Sequence, residues 1–118
     1  MNSNEKNIVI TAAIRTAIGT FDGSLKNIPA HELGSIVINE AIKKSKLKSQ
    51  EVDEVIMGQV LTGSSGQNPA RQAAVKAGLS IEKTAYTINQ VCGSGLRSVA
   101  AGYQSILCND SNIVIAGG

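Results

Sequence analysis

The stretch that most constrains the fold is residues 84–106, which read TAYTINQVCGSGLRSVAAGYQSI. Residues 84–91 are rich in the β-branched and aromatic side chains that favour a pleated strand. Beyond the glycines that follow, apolar side chains recur at steps of three and four on one helical face. These are Leu96, Val99, Ala100, Tyr103 and Leu107. The pattern predicts a strand, a sharp turn that contains Cys92, and a helix.

Cys92 is the first candidate for a chemical role because the turn places it at a helix N-terminus. The first N–H groups of a helix lack internal partners, and the helix dipole adds positive charge there. Such an environment favours a thiolate and can stabilise the oxyanion formed when sulfur attacks a carbonyl. Gly93 and Gly95 leave room for a substrate beside the backbone. Free cysteines are also often small buried hydrophobes, and the residues alone leave both interpretations open.

The composition predicts one globular domain and excludes several functions. The chain has 118 residues, of which 42% are hydrophobic and 17% charged, as in soluble proteins. A net charge of +2 with 3% aromatic residues disfavours nucleic-acid binding. No apolar run approaches the roughly 20 residues that span a bilayer. The polar residues 1–7 do not resemble a signal peptide, so two cysteines predict a reducing, cytoplasmic location.

Strands and helices are predicted to alternate along the chain. The predicted strands are residues 7–13, 55–60, 84–91 and 112–116, with a loop at 15–27. A first helix begins at Pro29 or Ala30 and ends near Lys46, and a second begins after Asn68 and ends before Gly78. This alternation predicts an α/β fold with a mostly parallel sheet and helices on both faces. Gly102, inside the last helix, predicts a tight crossing with a neighbouring element.

The Gly/Ser loop at residues 62–67 follows a predicted strand. Open α/β sheets bind ligands at such carboxyl ends, but no Gly-Lys-Ser/Thr follows, so the loop is not a P-loop. Gln67, Asn68 and Arg71 are polar enough for binding. Capping of a helix by Asn68, with Pro69 at its first position, is the stronger interpretation.

The other candidate groups are expected to be structural. Cys108 lies about four helical turns beyond Cys92, too far for a disulfide, so we expect it to pack. His31, the only histidine, is expected to have a surface or capping role rather than to pair with a cysteine. The lysines at the end of the first helix are interpreted as complementing its dipole rather than as binding phosphate. They are Lys43, Lys44, Lys46 and Lys48.

Residues 89–99, NQVCGSGLRSV, resemble the nucleophile segment of thiolases, in particular the biosynthetic type. Three further runs are similar to the same family in the same order. They are ITAAIRTAIG at 10–19, GQVL through GQNPARQA at 58–73, and VIAGG at 114–118. The resemblance covers essentially the whole chain. It implies a thiolase-like layered α/β fold, with residues 1–118 as the N-terminal portion of the N-terminal domain and the C-terminal half absent.

The resemblance implies that Cys92 is the catalytic nucleophile of an acetyl-CoA C-acetyltransferase. Cys92 would take an acyl group from acyl-CoA as a thioester, and the enolate of a second acetyl-CoA would attack it, releasing acetoacetyl-CoA. Thiolysis is the reverse reaction. Coenzyme A thioesters are then substrates, and no permanently bound cofactor and no metal is expected. The coenzyme A-binding residues stay unassigned.

The resemblance also bears on what this chain can do by itself. The family's second catalytic cysteine and its histidine lie nearer its C-terminus, so the isolated 118-residue chain is expected to be incompetent for condensation. A homo-oligomer, dimer or tetramer, is implied. Two rivals are a ketoacyl-synthase-like enzyme, which also has a cysteine at a strand–helix turn, and a non-catalytic fragment that self-associates through an exposed sheet edge.

Overall fold

A computed structural model describes residues 6–118, and residues 1–5 of the polar N-terminal run lie outside it. The elements, in chain order, are α1 (Ala30–Lys44), a 3₁₀ turn (Ser49–Glu51), β1 (Glu54–Gly58), α2 (Pro69–Lys76), β2 (Thr84–Ile88), α3 (Ser94–Leu107) and β3 (Val114–Gly117). The strands form a parallel sheet in the order β2-β1-β3. The predicted alternation of strands and helices is confirmed.

Helices cover both faces of this sheet, also as predicted. Successive side chains of a strand point to opposite faces. Val55 of β1 belongs to a core shared with α1 and α2, whose buried members also include Ile38, Ile42, Val52, Ala73, Ala74, Ala77 and Leu79. Ile56 is fully buried on the other face, where its partner in the register is Ala116. That face lies under α3.

The helix α3 packs on the sheet through small side chains. Its buried residues are Ser94, Ser98 and Gly102, spaced one turn apart. A Cβ built at Gly102 would lie 3.0 Å from Cγ1 of Val114, which confirms the tight crossing. The apolar stripe read from the sequence lies on the other side of the helix, and its Leu96 is 78% exposed. Apolar spacing predicted the helix but not the face that packs, because only small residues allow so close an approach.

The strand predicted at residues 7–13 is wrong. The segment belongs to no strand, and Val9 and Ile10 are 73% and 79% exposed. A strand requires a backbone partner, and β1, β2 and β3 pair with one another without including this segment. Side chains fix it instead. The Thr11 and Ser45 hydroxyls hydrogen-bond at 2.8 Å, and just before the segment Lys6 Nζ donates to the carbonyl of Ile106, also at 2.8 Å.

The remaining boundaries agree with prediction to within a few residues. The helix α1 begins at Ala30, one of the two predicted starts. Gly78 follows the end of α2 with a φ of +84°, a left-handed conformation that suits glycine. Within residues 6–118, no helix combines the length and the apolarity needed to cross a membrane.

Candidate active site

Cys92 lies in the short turn that joins β2 to α3. The strand ends at Ile88 and the helix begins at Ser94, so the predicted strand, turn and helix are present. The Cys92 side chain is exposed, which rules out a role as a buried packing residue. A reagent in solution can therefore reach its sulfur.

The backbone of this turn is held in an unusual conformation. Val91 has a φ of +49°, a left-handed value that a β-branched residue rarely adopts. The turn closes with hydrogen bonds from the Gly93 amide to Gln90 O at 3.0 Å and from the Ser94 amide to Val91 O at 3.1 Å. Such strain persists only where neighbouring groups enforce it, and it is common at functional sites. Cys92 thus sits directly after a strained residue in a tightly closed turn.

The dipole of α3 contributes partial positive charge near Cys92, which lies one residue before the helix N-cap. Gly93 caps α3, and the first turn of the helix contains no acidic residue that would offset the positive end of its dipole. The turn uses the amides of Gln90, Val91, Gly93 and Ser94 in hydrogen bonds. Among the hydrogen bonds of the described residues, none comes from the Cys92 amide.

The carboxyl ends of all three strands meet beneath this turn. A Cβ built at Gly58, the last residue of β1, would lie 2.7 Å from both C and Cβ of Ser94. A Cβ built at Gly95 would lie 3.5 Å from the carbonyl oxygen of Gly118, just beyond β3. The turn therefore rests on glycine backbone at the ends of β1 and β3, and β2 leads directly into it. Ligands bind at this edge in open α/β sheets.

The loop after β1 borders residues 89–93, which we call the cysteine turn. Asn89 Nδ2 donates to Val60 O at 3.2 Å and so ties the two together. Inside the loop, Gln59 Nε2 donates to Leu61 O at 2.7 Å, and Gln72 Nε2 donates to Ser65 O at 2.7 Å. Adjacent parallel strands thus bring the predicted ligand-binding loop at residues 62–67 to the same edge as Cys92.

Asn68 caps α2 as predicted. Its Oδ1 accepts the Arg71 amide at 3.2 Å, and Pro69 opens the helix. The side chain also ties the helix to β2, because Nδ2 donates to Ala85 O at 2.9 Å and Oδ1 accepts from Thr87 Oγ1 at 3.1 Å. These contacts occupy the Asn68 amide group, so its structural role is the one the geometry shows.

The other polar candidates lie away from the turn. Arg71 donates to the carbonyls of Ile81 and Lys83, both at 2.6 Å, which stabilises the approach to β2. His31 is half-buried in the first turn of α1. Cys108 is at the opposite end of α3 from Cys92, and it is exposed. The expected packing role of Cys108 is therefore wrong, since a helix C-cap at the surface has little to pack against.

Neither metal clusters nor clefts compete with this turn as a site. In residues 6–118, no three His, Cys, Asp or Glu side chains are grouped so that they could hold a metal. A cleft of about 800 Å³ lies between residues 8–16 and the sheet, but Cys92 is not in its wall. Residues 8–16, which border the cleft, belong to no helix or strand.

Sequence reasoning missed two residues of the turn. The side chains of Asn89 and Ser94 bond its backbone, at Val91 and Gln90 respectively. An asparagine side chain often accepts the backbone amide two residues later, as Asn89 does here with Val91. Serine is favoured at turns and at the start of a helix. Both signals were present, but the strand prediction ran to residue 91 and so covered the asparagine.

Known proteins resemble this chain closely. The family model described as "Thiolase, N-terminal domain" matches residues 8–118. The acetyl-CoA acetyltransferase of Pseudomonas aeruginosa is 55% identical over 113 residues, which are 96% of this chain and 29% of that protein. The acetyl-CoA acetyltransferase of Chromobacterium violaceum is 58% identical over 111 residues, covering 94% and 28%. The crystal structure of the Bacillus anthracis acetyl-CoA acetyltransferase superposes with a TM-score of 0.89 at 43% identity, over 93% of this chain and 28% of that one.

Proposed function

Because the chain belongs to the thiolase family, we propose that Cys92 is the acyl-accepting nucleophile of an acetyl-CoA acetyltransferase. The observation that carries the proposal is an exposed cysteine in a strained turn at the positive end of α3. The chain spans less than a third of the length of the relatives it matches. Acyl acceptance is therefore assigned to this chain, and condensation to a whole protein of the relatives' kind.

The acyl transfer follows from the position of the sulfur. The Cys92 thiolate attacks the carbonyl carbon of acetyl-CoA, and the carbonyl electrons move to oxygen. When the carbonyl re-forms, the bond to the coenzyme A sulfur breaks and coenzyme A leaves as a thiolate, which takes a proton from solvent. The enzyme retains the acetyl group as a thioester. Exchange of one thioester for another changes little in energy, so the acetyl group stays activated.

Groups of the turn serve this step. The Cys92 amide makes no hydrogen bond to another described residue, so it can donate to the oxyanion. Gly93 has no side chain that could obstruct a thioester. A Cβ built there would lie 3.4 Å from Gln90 O, which is an ordinary contact, so the turn itself does not require glycine at this position. In the condensation, a base elsewhere in the whole protein, as the family resemblance implies, takes an α-proton from a second acetyl-CoA, and the resulting enolate carbon bonds to the acetyl carbonyl. The Cys92–acyl bond then breaks, which yields acetoacetyl-CoA and restores the thiolate.

The wider setting belongs to the same proposal. Coenzyme A thioesters are substrates, and no permanent cofactor is invoked. We place the protein in the cytoplasm, which keeps the thiol reduced; a mouse relative at 48% identity is named as cytosolic. We also propose a homo-oligomer, as the family resemblance implies. Sedimentation at several concentrations measures the oligomeric state of the chain. If the 118-residue chain is strictly monomeric, its own residues are not sufficient for the assembly.

The test is acetylation of the chain itself. The folded chain is incubated with acetyl-CoA and its intact mass is measured, and the Cys92→Ser and Cys108→Ser variants are treated alike. Both cysteines are exposed, so Cys108→Ser is a matched control. We expect one acetyl adduct on wild type and on Cys108→Ser, and none on Cys92→Ser. A folded wild type without an adduct, or an equal adduct on Cys92→Ser, would refute the proposal.

A further inference from the structure

We propose that Ser94 is a positioning residue whose hydroxyl holds the turn that presents the Cys92 sulfur. This inference rests on the proposed function of Cys92. The Ser94 side chain is 4% exposed, so it cannot reach a substrate in solution. Its hydroxyl accepts the Gln90 amide at 2.8 Å and donates to the Val91 carbonyl at 2.6 Å.

These two bonds span the cysteine. Gln90 and Val91 precede Cys92, and Ser94 opens the helix after it, so one oxygen joins the two sides of the turn. A hydroxyl can donate and accept at once, and alanine can do neither. No other side chain of the described residues bonds both Gln90 and Val91 backbone groups. The Ser94 hydroxyl thus restrains the carbonyl side of the strained Val91.

The opposite side of Ser94 is fixed as well. It packs against the backbone of Gly58, so closely that a Cβ there would be 2.7 Å from the Ser94 Cβ. Asn89 adds a second restraint, since its Oδ1 accepts the Val91 amide at 2.9 Å. Cys92 itself contributes no side-chain hydrogen bond within residues 6–118 to hold its place. Its position relative to the end of α3 is thus set by its neighbours.

A matched control exists one turn further along the helix. Ser98 is fully buried on the same face of α3, and its hydroxyl bonds the carbonyls of Gly95 and Gly117. Ser98→Ala removes a buried hydroxyl of the same kind but leaves both bonds across the cysteine turn intact. A general loss of packing would therefore appear in both variants, and a loss of positioning only in Ser94→Ala.

The experiment measures alkylation of the 118-residue chain by iodoacetamide between about pH 6 and 10. Peptide mapping separates Cys92 from Cys108, which reports on ordinary thiol reactivity in the same molecule. In Ser94→Ala we expect Cys92 alkylation at neutral pH to slow about three- to tenfold, because the sulfur leaves the helix end. Ser98→Ala keeps the wild-type Cys92 profile, and Cys108 is unchanged throughout.

A Cys92 alkylation rate in Ser94→Ala equal to that of wild type, or an equal slowing in Ser98→Ala, overturns the proposal. One measurement needs no variant. The Gln90 amide is outside any helix or strand, so slow hydrogen exchange in wild type reports its bond to Ser94. Exchange at the rate of an unfolded peptide overturns the proposal even if Ser94→Ala does not fold. A missing acetyl adduct would refute the role of Cys92 separately, because alkylation requires no acyl transfer.

Discussion

Replacing Gly58 with alanine tests whether the end of β1 supports the cysteine turn. The added Cβ would lie 2.7 Å from C and Cβ of Ser94 and 2.9 Å from the Gly95 amide nitrogen. Carbon atoms in good contact are about 3.5–4.0 Å apart. The overlap is therefore close to 1 Å, and two of the three atoms are backbone. No side-chain rotation can relieve it, so β1 and the start of α3 must separate.

The cost should be at the upper end of that for overpacking, about 3 kcal/mol. Domains of this size are stable by about 5–15 kcal/mol, so the variant is expected to fold with a much reduced margin. Urea unfolding followed by circular dichroism measures it. With a slope of about 1.5 kcal/mol per molar urea, the midpoint falls by about 2 M. Acetylation of Cys92 should fall even in the fraction that stays folded.

The control is Gly63→Ala in the loop that follows β1. A Cβ at Gly63 meets no atom within 4 Å. The free energy of unfolding of Gly63→Ala should therefore differ from wild type by less than about 0.5 kcal/mol. If Gly58→Ala unfolds at the wild-type urea concentration and accepts acetyl groups at the wild-type rate, the close contact between β1 and the turn does not exist in solution.

Two further substitutions test the packing that supports the sheet. The Asn112 amide donates to Asp53 at 2.9 Å and, despite an opposing effect of burial, lowers the pKa of Asp53. Because the folded pKa lies below the unfolded value of about 3.9, this stabilisation is complete above that pH and is lost as pH falls through the folded pKa. Asp53→Asn should therefore cost about 1 kcal/mol at neutral pH in urea unfolding and flatten the acid limb of a stability profile; an unchanged acid limb would contradict this. Arg71→Lys should cost a similar amount in the same measurement, because a lysine ammonium lacks the planar fork whose two nitrogens bond the carbonyls of Ile81 and Lys83 separately. A wild-type midpoint would show those bonds to be dispensable.

The sequence predicted those features that are set by neighbouring residues. The Asn68 cap, the proline that follows it and Gly78 gave the bounds of α2, because capping depends on a few adjacent groups. The turn at Cys92 was predictable for the same reason, since glycines and a change in periodicity mark it. Gly102 gave the tight crossing correctly, because a glycine inside a helix is costly without such a reason.

Features that depend on distant partners were not predictable. Residues 7–13 have the composition of a strand, but strand formation depends on a backbone neighbour that local sequence does not specify. The burial of Ser98 in place of Leu96 follows from the distance between α3 and the sheet. Ser94 was missed as a support of the site because its partners are backbone groups of Gln90 and Val91, which any residue type would supply.

The turn that contains Cys92 contacts the carboxyl ends of strands that are far apart in the chain. Gly58 and Gly118 are separated by sixty positions, yet the contacts of both converge on residues 94 and 95. A synthetic peptide with the sequence of residues 84–106 would lack both supports. The acyl-accepting role proposed for Cys92 therefore depends on the assembled sheet and not on the local sequence alone.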